Sequence, residues 1–239
     1  TPKWILIQRQ QWLHEQQSCL LKLQHEMPFP CVLKPANQGS SIGVSILQAF
    51  DAITCSAALD KAFFIRRLSA KDWQAMTVEQ RLQYAKALAD IRESVGMPLQ
   101  ISGTGISEPE ICYHPDAFVA FANSRLQSGN WLLESLDSEQ CVLAEGFIEG
   151  REFSCIVIED ADGRPIALPP TEIRKGKELF DYRSKYLPGL SRKITPIDLP
   201  RPDLDCIAAA CTKLFSVLHT DVYARIDGFM GLDGRVYLN

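Results

Sequence analysis

The chain has 239 residues, 46 % of them hydrophobic and 23 % charged, with 14 glycines and 14 prolines. These ordinary globular proportions exclude a disordered, collagen-like or coiled-coil chain, and the length allows one large domain or two smaller ones. The formal net charge of −4 lacks the basic excess of a nucleic-acid binder, no uncharged apolar run is long enough to span a bilayer, and no signal peptide opens the chain, whose abrupt start reads as a cut.

Residues 4–8 (WILIQ) read as a short buried strand, and 11–24 as a helix with Trp12, Leu20, Leu21 and Leu23 toward one side. Pro28 and Pro30 break the chain. Residues 31–34 read as a strand that runs into a loop rich in Gly and Ser, with 43–47 as the next strand, a hairpin whose tip is held open for a ligand. Residues 51–65 read as a helix. Thr77-Val-Glu-Gln80 has the form of a capping box, which predicts a helix from there to about 95. Residues 98–115 read as loop, with Ser-Gly-Thr-Gly in the middle, and 116–126 as a helix. The stretch 66–140 shows no catalytic pattern and no repeat. From 141 the signals turn to strands, at 141–147 and 153–159, with Asp162-Gly163 as a hairpin turn into 166–168. A charged stretch, 174–193, carries Tyr182 and Tyr186. Residues 204–218 form an amphipathic helix, and 223–230 with 235–238 a strand pair around Asp233-Gly234. The sum is α+β with antiparallel sheets.

The eight cysteines, at 19, 31, 55, 112, 141, 155, 206 and 211, form no C-x-x-C pair, and no Cys/His cluster has zinc spacing. Most sit among apolar neighbours and read as buried free thiols of a reducing cytoplasm.

Four segments carry chemistry. Lys34-Pro-Ala-Asn-Gln-Gly39-Ser40-Ser41-Ile-Gly43 offers one cation, backbone N–H groups and two hydroxyls, a set that suits polyphosphate, although the lysine precedes the glycines and the segment is no P-loop. An ordinary hairpin loop is the plain alternative. Glu145-Gly-Phe-Ile-Glu-Gly-Arg-Glu152 brackets an apolar pair with acids that can accept from ribose hydroxyls, or that are simply solvated. Pro169-Pro-Thr-Glu-Ile173 with Phe180-Asp-Tyr-Arg-Ser-Lys185-Tyr186 reads as a lid over a site or as a solvated loop. In Tyr223-Ala-Arg225-Ile-Asp227, Arg225 and Asp227 alternate on one strand and so share a face. A cation and a carboxylate there suit phosphoryl transfer, or form a surface pair.

Together KPANQGSSIGVS, EGFIEGRE, the pair PPTEI and FDYRSKY, and ARIDGF followed by DGRVYLN resemble, in that order, the ATP-grasp region of the D-alanine–D-alanine ligase family over residues 1–65 and 141–239. The resemblance implies an ATP-grasp fold, with antiparallel sheets and helices sandwiching the nucleotide. It implies a cytoplasmic ATP-dependent carboxylate–amine ligase that joins two D-alanines through an acyl phosphate, for peptidoglycan precursor synthesis and cell-wall biogenesis. ATP and Mg2+ (or Mn2+) are the implied cofactors. Small-molecule substrates (D-alanine) are the implied partners, with no nucleic acid and no membrane, and with a homodimer in the full-length protein. Carried over position by position, Lys34 would hold ATP phosphates, and Gly39, Ser40 and Ser41 would close over them, Ser40 also positioning substrate. Glu145 would bind the adenine amino group, Phe147 and Ile148 would line the base, and Glu152 would bind ribose. Lys185 would reach the phosphates, Tyr186 would close the second amino-acid subsite, Arg225 would stabilise developing negative charge, and Asp227 would be the first magnesium ligand.

The chain departs from that family in three places. It lacks the N-terminal domain and an earlier ATP-binding lysine, and it stops at Asn239, where the family continues into a glutamate and an asparagine that bind both metals. These 239 residues alone are therefore expected to be inactive. Lys34 and Glu145 are also 111 positions apart, more than the family needs. Residues 1–65 and 141–239 are thus expected to form the ATP-grasp domain. Residues 66–140 would be a mostly helical insertion, packed by Trp73, Tyr84 and Trp131, either a decoration or a partner-binding element. Two other readings stay open, an ATP-grasp ligase with a different acid–amine pair and a non-catalytic nucleotide-binding scaffold.

Overall fold

The computed structural model describes residues 2–136, 138–175 and 191–239. They fall into two units, one over residues 3–146 and one over 147–239 together with Pro2.

The first unit contains two antiparallel four-stranded sheets. One is built from β1 (Trp4–Gln8), β2 (Cys31–Pro35), β3 (Ser45–Leu47) and β8 (Cys141–Gly146), in the order β1-β8-β2-β3. Its strands alternate buried and open positions, so Trp4–Gln8, whose apolar run reads as a buried strand, buries only Ile5 and Ile7 and leaves Trp4 and Leu6 exposed on the open face of a half-covered sheet. The helices α1 (Arg9–His14), α2 (Gln16–Glu26) and α3 (Ala52–Ala62) close its inner face over a core that includes Ile7, Trp12, Leu23, Leu33, Leu59 and Val142. Asp51 starts α3 by accepting from the Thr54 amide at 2.7 Å.

The second sheet lies within the stretch expected to be mostly helical. Its strands are β4 (Ile65–Ser69), β5 (Leu99–Gly103), β6 (Glu110–Cys112) and β7 (Asn130–Ser135), in the order β4-β7-β5-β6. The helices α4 (Ala70–Ala75), α5 (Val78–Ala89) and α6 (Pro115–Arg125) are present and cover it, around Trp73, Leu88, Phe118 and Trp131. The sheet escapes a sequence reading for physical reasons. β4 carries Arg66 and Arg67, while β5 and β6 are short strands in a Gly- and Pro-bearing stretch that reads as loop. The capping box at Thr77 forms as expected, but α5 stops at Ala89 rather than near 95.

In the second unit one antiparallel sheet runs in the order β12-β11-β9-β13-β14, with β10 also paired to β9. The strands are β9 (Gly150–Glu159), β10 (Pro165–Ala167), β11 (Thr171–Lys175), β12 (Ser191–Ile194), β13 (Tyr223–Gly231) and β14 (Val236–Leu238). The helix α7 (Arg201–Val217) lays Ile207, Cys211 and Phe215 on Phe153, Cys155, Val157 and Ile226. All eight cysteines are free thiols, six of them buried, as expected of a chain without a disulfide framework.

Candidate functional site

In the first unit, β2 and β8 bring Lys34 and Glu145 together. Val32 faces Glu145 and Lys34 faces Leu143 across the ladder, so the two charged residues are diagonal neighbours on the open face. Lys34 Nζ and Glu145 Oε1 are 2.7 Å apart. The chain then leaves β2 into the loop 36–44, which holds Gly39, Ser40 and Ser41.

Ser40 and Ser41 have φ of 57° and 60°, left-handed values that cost a non-glycine residue about 1–3 kcal/mol each and that concentrate at ligand clamps. The turn is closed by the Ile42 amide on the Gly39 carbonyl at 3.1 Å. Gly43, at φ +75°, has no room for a side chain, because a Cβ would meet Pro35 Cγ at 2.6 Å and Phe64 Cζ at 3.2 Å. The start of the loop is fixed by Glu139, whose two carboxylate oxygens accept from the backbone amide and the side-chain Nδ2 of Asn37, each at 3.1 Å. Glu139 is only 4 % exposed. Sequence reasoning passed over it, since Asp-Ser-Glu-Gln ahead of β8 has the look of a polar linker and a buried acid leaves no local pattern.

In the second unit, β9 and β13 align three more of the expected residues. Glu152 faces Phe229, Ser154 faces Asp227 and Ile156 faces Arg225. Directly opposed residues share a face, so Glu152, Arg225 and Asp227 project from one side of the sheet, away from the α7 core. Arg225 Nη2 donates to Asp227 Oδ2 at 3.1 Å. The other oxygen, Asp227 Oδ1, is buried and has no hydrogen-bond partner. An ionised oxygen in that state is costly unless a donor or a cation meets it, and a hard divalent cation with oxygen ligands fits it. Among the described residues no group of three or more His, Cys, Asp or Glu side chains is placed to hold a metal, and the orphaned oxygen makes Asp227 a candidate ligand.

Phe147 and Ile148 are half-buried and lead into β9. Gly150 lets β13 pass close, for a Cβ there would lie 2.2 Å from the Met230 carbonyl oxygen. Glu172, in the PPTEI segment, is a buried acid that takes Arg151 through both carboxylate oxygens at 2.9 and 2.8 Å, and Arg174 at 2.9 Å. The hydrogen bonds from Arg151 hold the Glu172 carboxyl below the usual carboxylate range. Lys185 and Tyr186 lie outside the described residues. The structure thus brings Lys34 to Glu145 in one unit, and Arg225 and Asp227 to the face of Glu152 in the other.

The family model for "D-ala D-ala ligase C-terminus" matches residues 1–68 and 119–239 and passes over the residues between. The chain is 34 % identical over 122 residues to a D-alanine--D-alanine ligase of Acetivibrio thermocellus, covering 51 % of this chain and 32 % of that protein. It is 24 % identical over 238 residues to one of Geobacillus kaustophilus, covering 99 % of this chain and 44 % of that one. The chain therefore spans less than half the length of these curated relatives. All of it superposes on 47 % of the D-Ala:D-Ser ligase VanG of Enterococcus faecalis, with a TM-score of 0.56 at 16 % identity. It superposes likewise on 49 % of the D-alanyl-alanine synthetase A of Vibrio cholerae, with a TM-score of 0.56 at 15 % identity. The fold is ATP-grasp.

Proposed function

The chain belongs to the D-ala D-ala ligase C-terminus family, and from that premise we propose that it is the nucleotide-binding part of a cytoplasmic ligase joining two D-alanines at the expense of ATP, for peptidoglycan precursor synthesis. One observation carries the reading. Lys34 leads directly into a loop that holds two successive serines in left-handed backbone, a conformation maintained against its own cost where a phosphate chain is to be gripped.

A carboxylate is a poor acylating agent at neutral pH. In this reaction it attacks the terminal phosphorus of ATP and releases ADP, and the amine of the second D-alanine then displaces phosphate from the acyl phosphate. The residues here divide the task. Lys34 neutralises phosphate oxygens, and the Gly39-Ser40-Ser41 backbone encloses them and excludes water, with the Ser40 hydroxyl at the substrate. Glu145 accepts from the adenine amino group, Phe147 and Ile148 cover the base, and Glu152 accepts from ribose hydroxyls. Arg225 offsets the charge that develops on the acyl phosphate and the tetrahedral intermediate. Lys185 and Tyr186 serve the phosphates and the second amino-acid subsite. Asp227 Oδ1 would hold Mg2+, which supplies positive charge to the phosphoryl oxygens when bound.

The test is phosphate release from Mg-ATP by the intact protein, with and without D-alanine. Strong stimulation by D-alanine is the expected result. ATP binding without stimulation would move the assignment to another acid–amine pair, and stimulation by no amino acid would leave a nucleotide-binding scaffold.

A further inference from the structure

The two sheets of residues 3–146 share one plan. The run β1-α1-α2-β2-β3-α3-β8 builds the first and β4-α4-α5-β5-β6-α6-β7 the second, and the strand orders β1-β8-β2-β3 and β4-β7-β5-β6 correspond one to one. The registers correspond as well. Trp4 faces Glu145 as Ile65 faces Glu134. Cys31 faces Gly146 as Leu99 faces Ser135. Val32 faces Ile46 as Gln100 faces Ile111. Element lengths agree, at 5 residues for β1 and β4, 6 for α1 and α4, and 11 for α3 and α6.

A side-chain bond repeats too. Trp12 in α1 and Trp73 in α4 occupy the same helix position, and both are fully buried. Trp12 Nε1 donates to Asp60 Oδ1 of α3 at 2.7 Å, and Trp73 Nε1 donates to Asn123 Oδ1 of α6 at 3.2 Å. Asp60 and Asn123 are equivalent positions of their helices. Topology alone does not dictate that bond.

The copies part where the chemistry lies. Ser102 stands at the register position of Lys34. The loop 104–109 replaces 36–44 and is tied down on β7, with the Thr104 amide on the Asn130 carbonyl at 3.1 Å and Trp131 Nε1 on the Thr104 carbonyl at 3.0 Å. The face that matches the Lys34–Glu145 face is turned onto the first copy. Ile65 belongs to the first copy's core, with Leu132 packed against it, and Arg67 pairs with Asp60 at 3.3 Å. Glu134, the counterpart of Glu145, takes the Arg9 guanidinium. Arg9 also donates to the Phe63 and Glu139 carbonyls, and the Glu139 carboxylate holds Asn37. Phe64 lies beneath Gly43.

We propose that residues 65–135 are a second, nested copy of the nucleotide lobe whose own nucleotide face is closed, and which acts as a bracket positioning the 36–44 loop through Glu134, Arg9 and Glu139. The inference rests on the reading that this loop grips phosphate. On this account Arg9, Glu134 and Glu139 are positioning residues, and the duplicated lobe adds order to the loop without adding a nucleotide site.

The experiment is equilibrium binding of ATP and of adenosine to the intact protein and to Asn37→Ala, Glu139→Gln, Glu139→Asp and Glu134→Gln, with melting temperatures for each. Asn37 is exposed, so its variant keeps the test open if a buried one unfolds. The inference expects one ATP per chain. It expects about a tenfold loss of ATP affinity in Asn37→Ala and Glu139→Gln with adenosine affinity unchanged, a partial return in Glu139→Asp, and a smaller loss of the same kind in Glu134→Gln. Two nucleotides per chain would overturn the closed face. Equal losses for ATP and adenosine, or a lowered melting temperature with both affinities unchanged, would reduce the bracket to a structural element and overturn the positioning role. Unchanged ATP binding in Glu134→Gln, beside a loss in Glu139→Gln, would remove the second copy from it. Absence of ATP binding by the unaltered protein would instead strike the reading of the loop itself, and this inference with it.

Discussion

Lys34 and Glu145 neutralise one another across neighbouring strands, 2.7 Å apart and with about a fifth to a quarter of each side chain open to solvent (25 % and 20 %). Partly exposed pairs of this kind contribute about 1 kcal/mol or less to stability, and on the proposed reading Lys34 would exchange its internal partner for a phosphate and Glu145 for an adenine amino group. Lys34→Ala is expected to shift the unfolding free energy by no more than about 1 kcal/mol while lowering ATP-dependent phosphate release by about 10²–10³-fold. Chemical denaturation and the phosphate assay on the same preparation separate the two effects. A large loss of stability would make Lys34 a structural residue.

Asp227→Asn replaces an oxygen that is buried without a partner. Stability without Mg2+ is expected to change by no more than about 1 kcal/mol, because the Arg225 pair that the substitution weakens is largely exposed. The Mg2+ concentration needed for turnover is expected to increase at least tenfold. Calorimetry without metal and a Mg2+ titration of activity check both halves.

Asp60 is half-buried against Trp12 and Arg67, and desolvation raises its pKa above the ordinary aspartate value despite those partners. An acid whose folded pKa is raised contributes stability below its unfolded value and loses it as pH rises through the folded value. Asp60→Asn is expected to flatten that part of the stability–pH curve. It also keeps an acceptor for Trp12, as Asn123 does for Trp73. At neutral pH the change is expected within about 1 kcal/mol, against about 1–3 kcal/mol for Asp60→Ala, which strands the indole N–H. Melting curves across the acid range measure it.

Glu172 has the opposite sign. The Arg151 hydrogen bonds, burial against them, and Arg174 leave its pKa lowered, so its contribution is present above the unfolded glutamate value and lost as pH falls through the folded one. Glu172→Gln is expected to cost about 2 kcal/mol at pH 7, with the difference from the unaltered protein shrinking in acid. Urea denaturation at several pH values reads the shrinkage directly.

Thiol reactivity sorts the cysteines. Burial pushes the Cys31 thiol up to about 12 and raises Cys19, Cys55 and Cys112, which leaves little thiolate to react. Cys206 is exposed and Cys141 half-buried. Alkylation of the native protein, followed by mass spectrometry, is expected to label Cys206 first and Cys141 more slowly, with the other six labelled only on unfolding. Early labelling of Cys155 or Cys211 would contradict the core seen around α7.

The sequence was most informative where one strand face had to be apolar. Trp4–Gln8 reads as a buried strand and its strand has those same bounds, although Trp4 and Leu6 lie on the open face, and the Arg225/Asp227 spacing placed both on one face of β13. The residues of the 36–44 loop were legible as types, a lysine before a Gly-Ser-Ser turn that suits polyphosphate as well as an ordinary hairpin. Three things were not legible. Arg66 and Arg67 hid β4, because their charged ends disguise a strand whose Ile65 and Leu68 are buried on opposite sides. Glu139 and Arg9 act through burial, which depends on residues more than a hundred positions away. The repeat was invisible because few identities survive beyond Trp12 and Trp73, while what persists is register, a property of pairing rather than of letters.

The way the second lobe joins the first has a consequence for the chain as a whole. Its entry strand β4 and exit strand β7 are antiparallel neighbours, with Ile65 opposite Glu134. The 68 residues between Ile65 and Glu134 therefore leave and re-enter the host across a gap of about 5 Å, the width of one strand spacing. Such a junction is a socket. The host backbone runs from α3 to β8 past a single pair of adjacent strand ends, and any module whose termini meet side by side could be plugged there without rerouting a host strand.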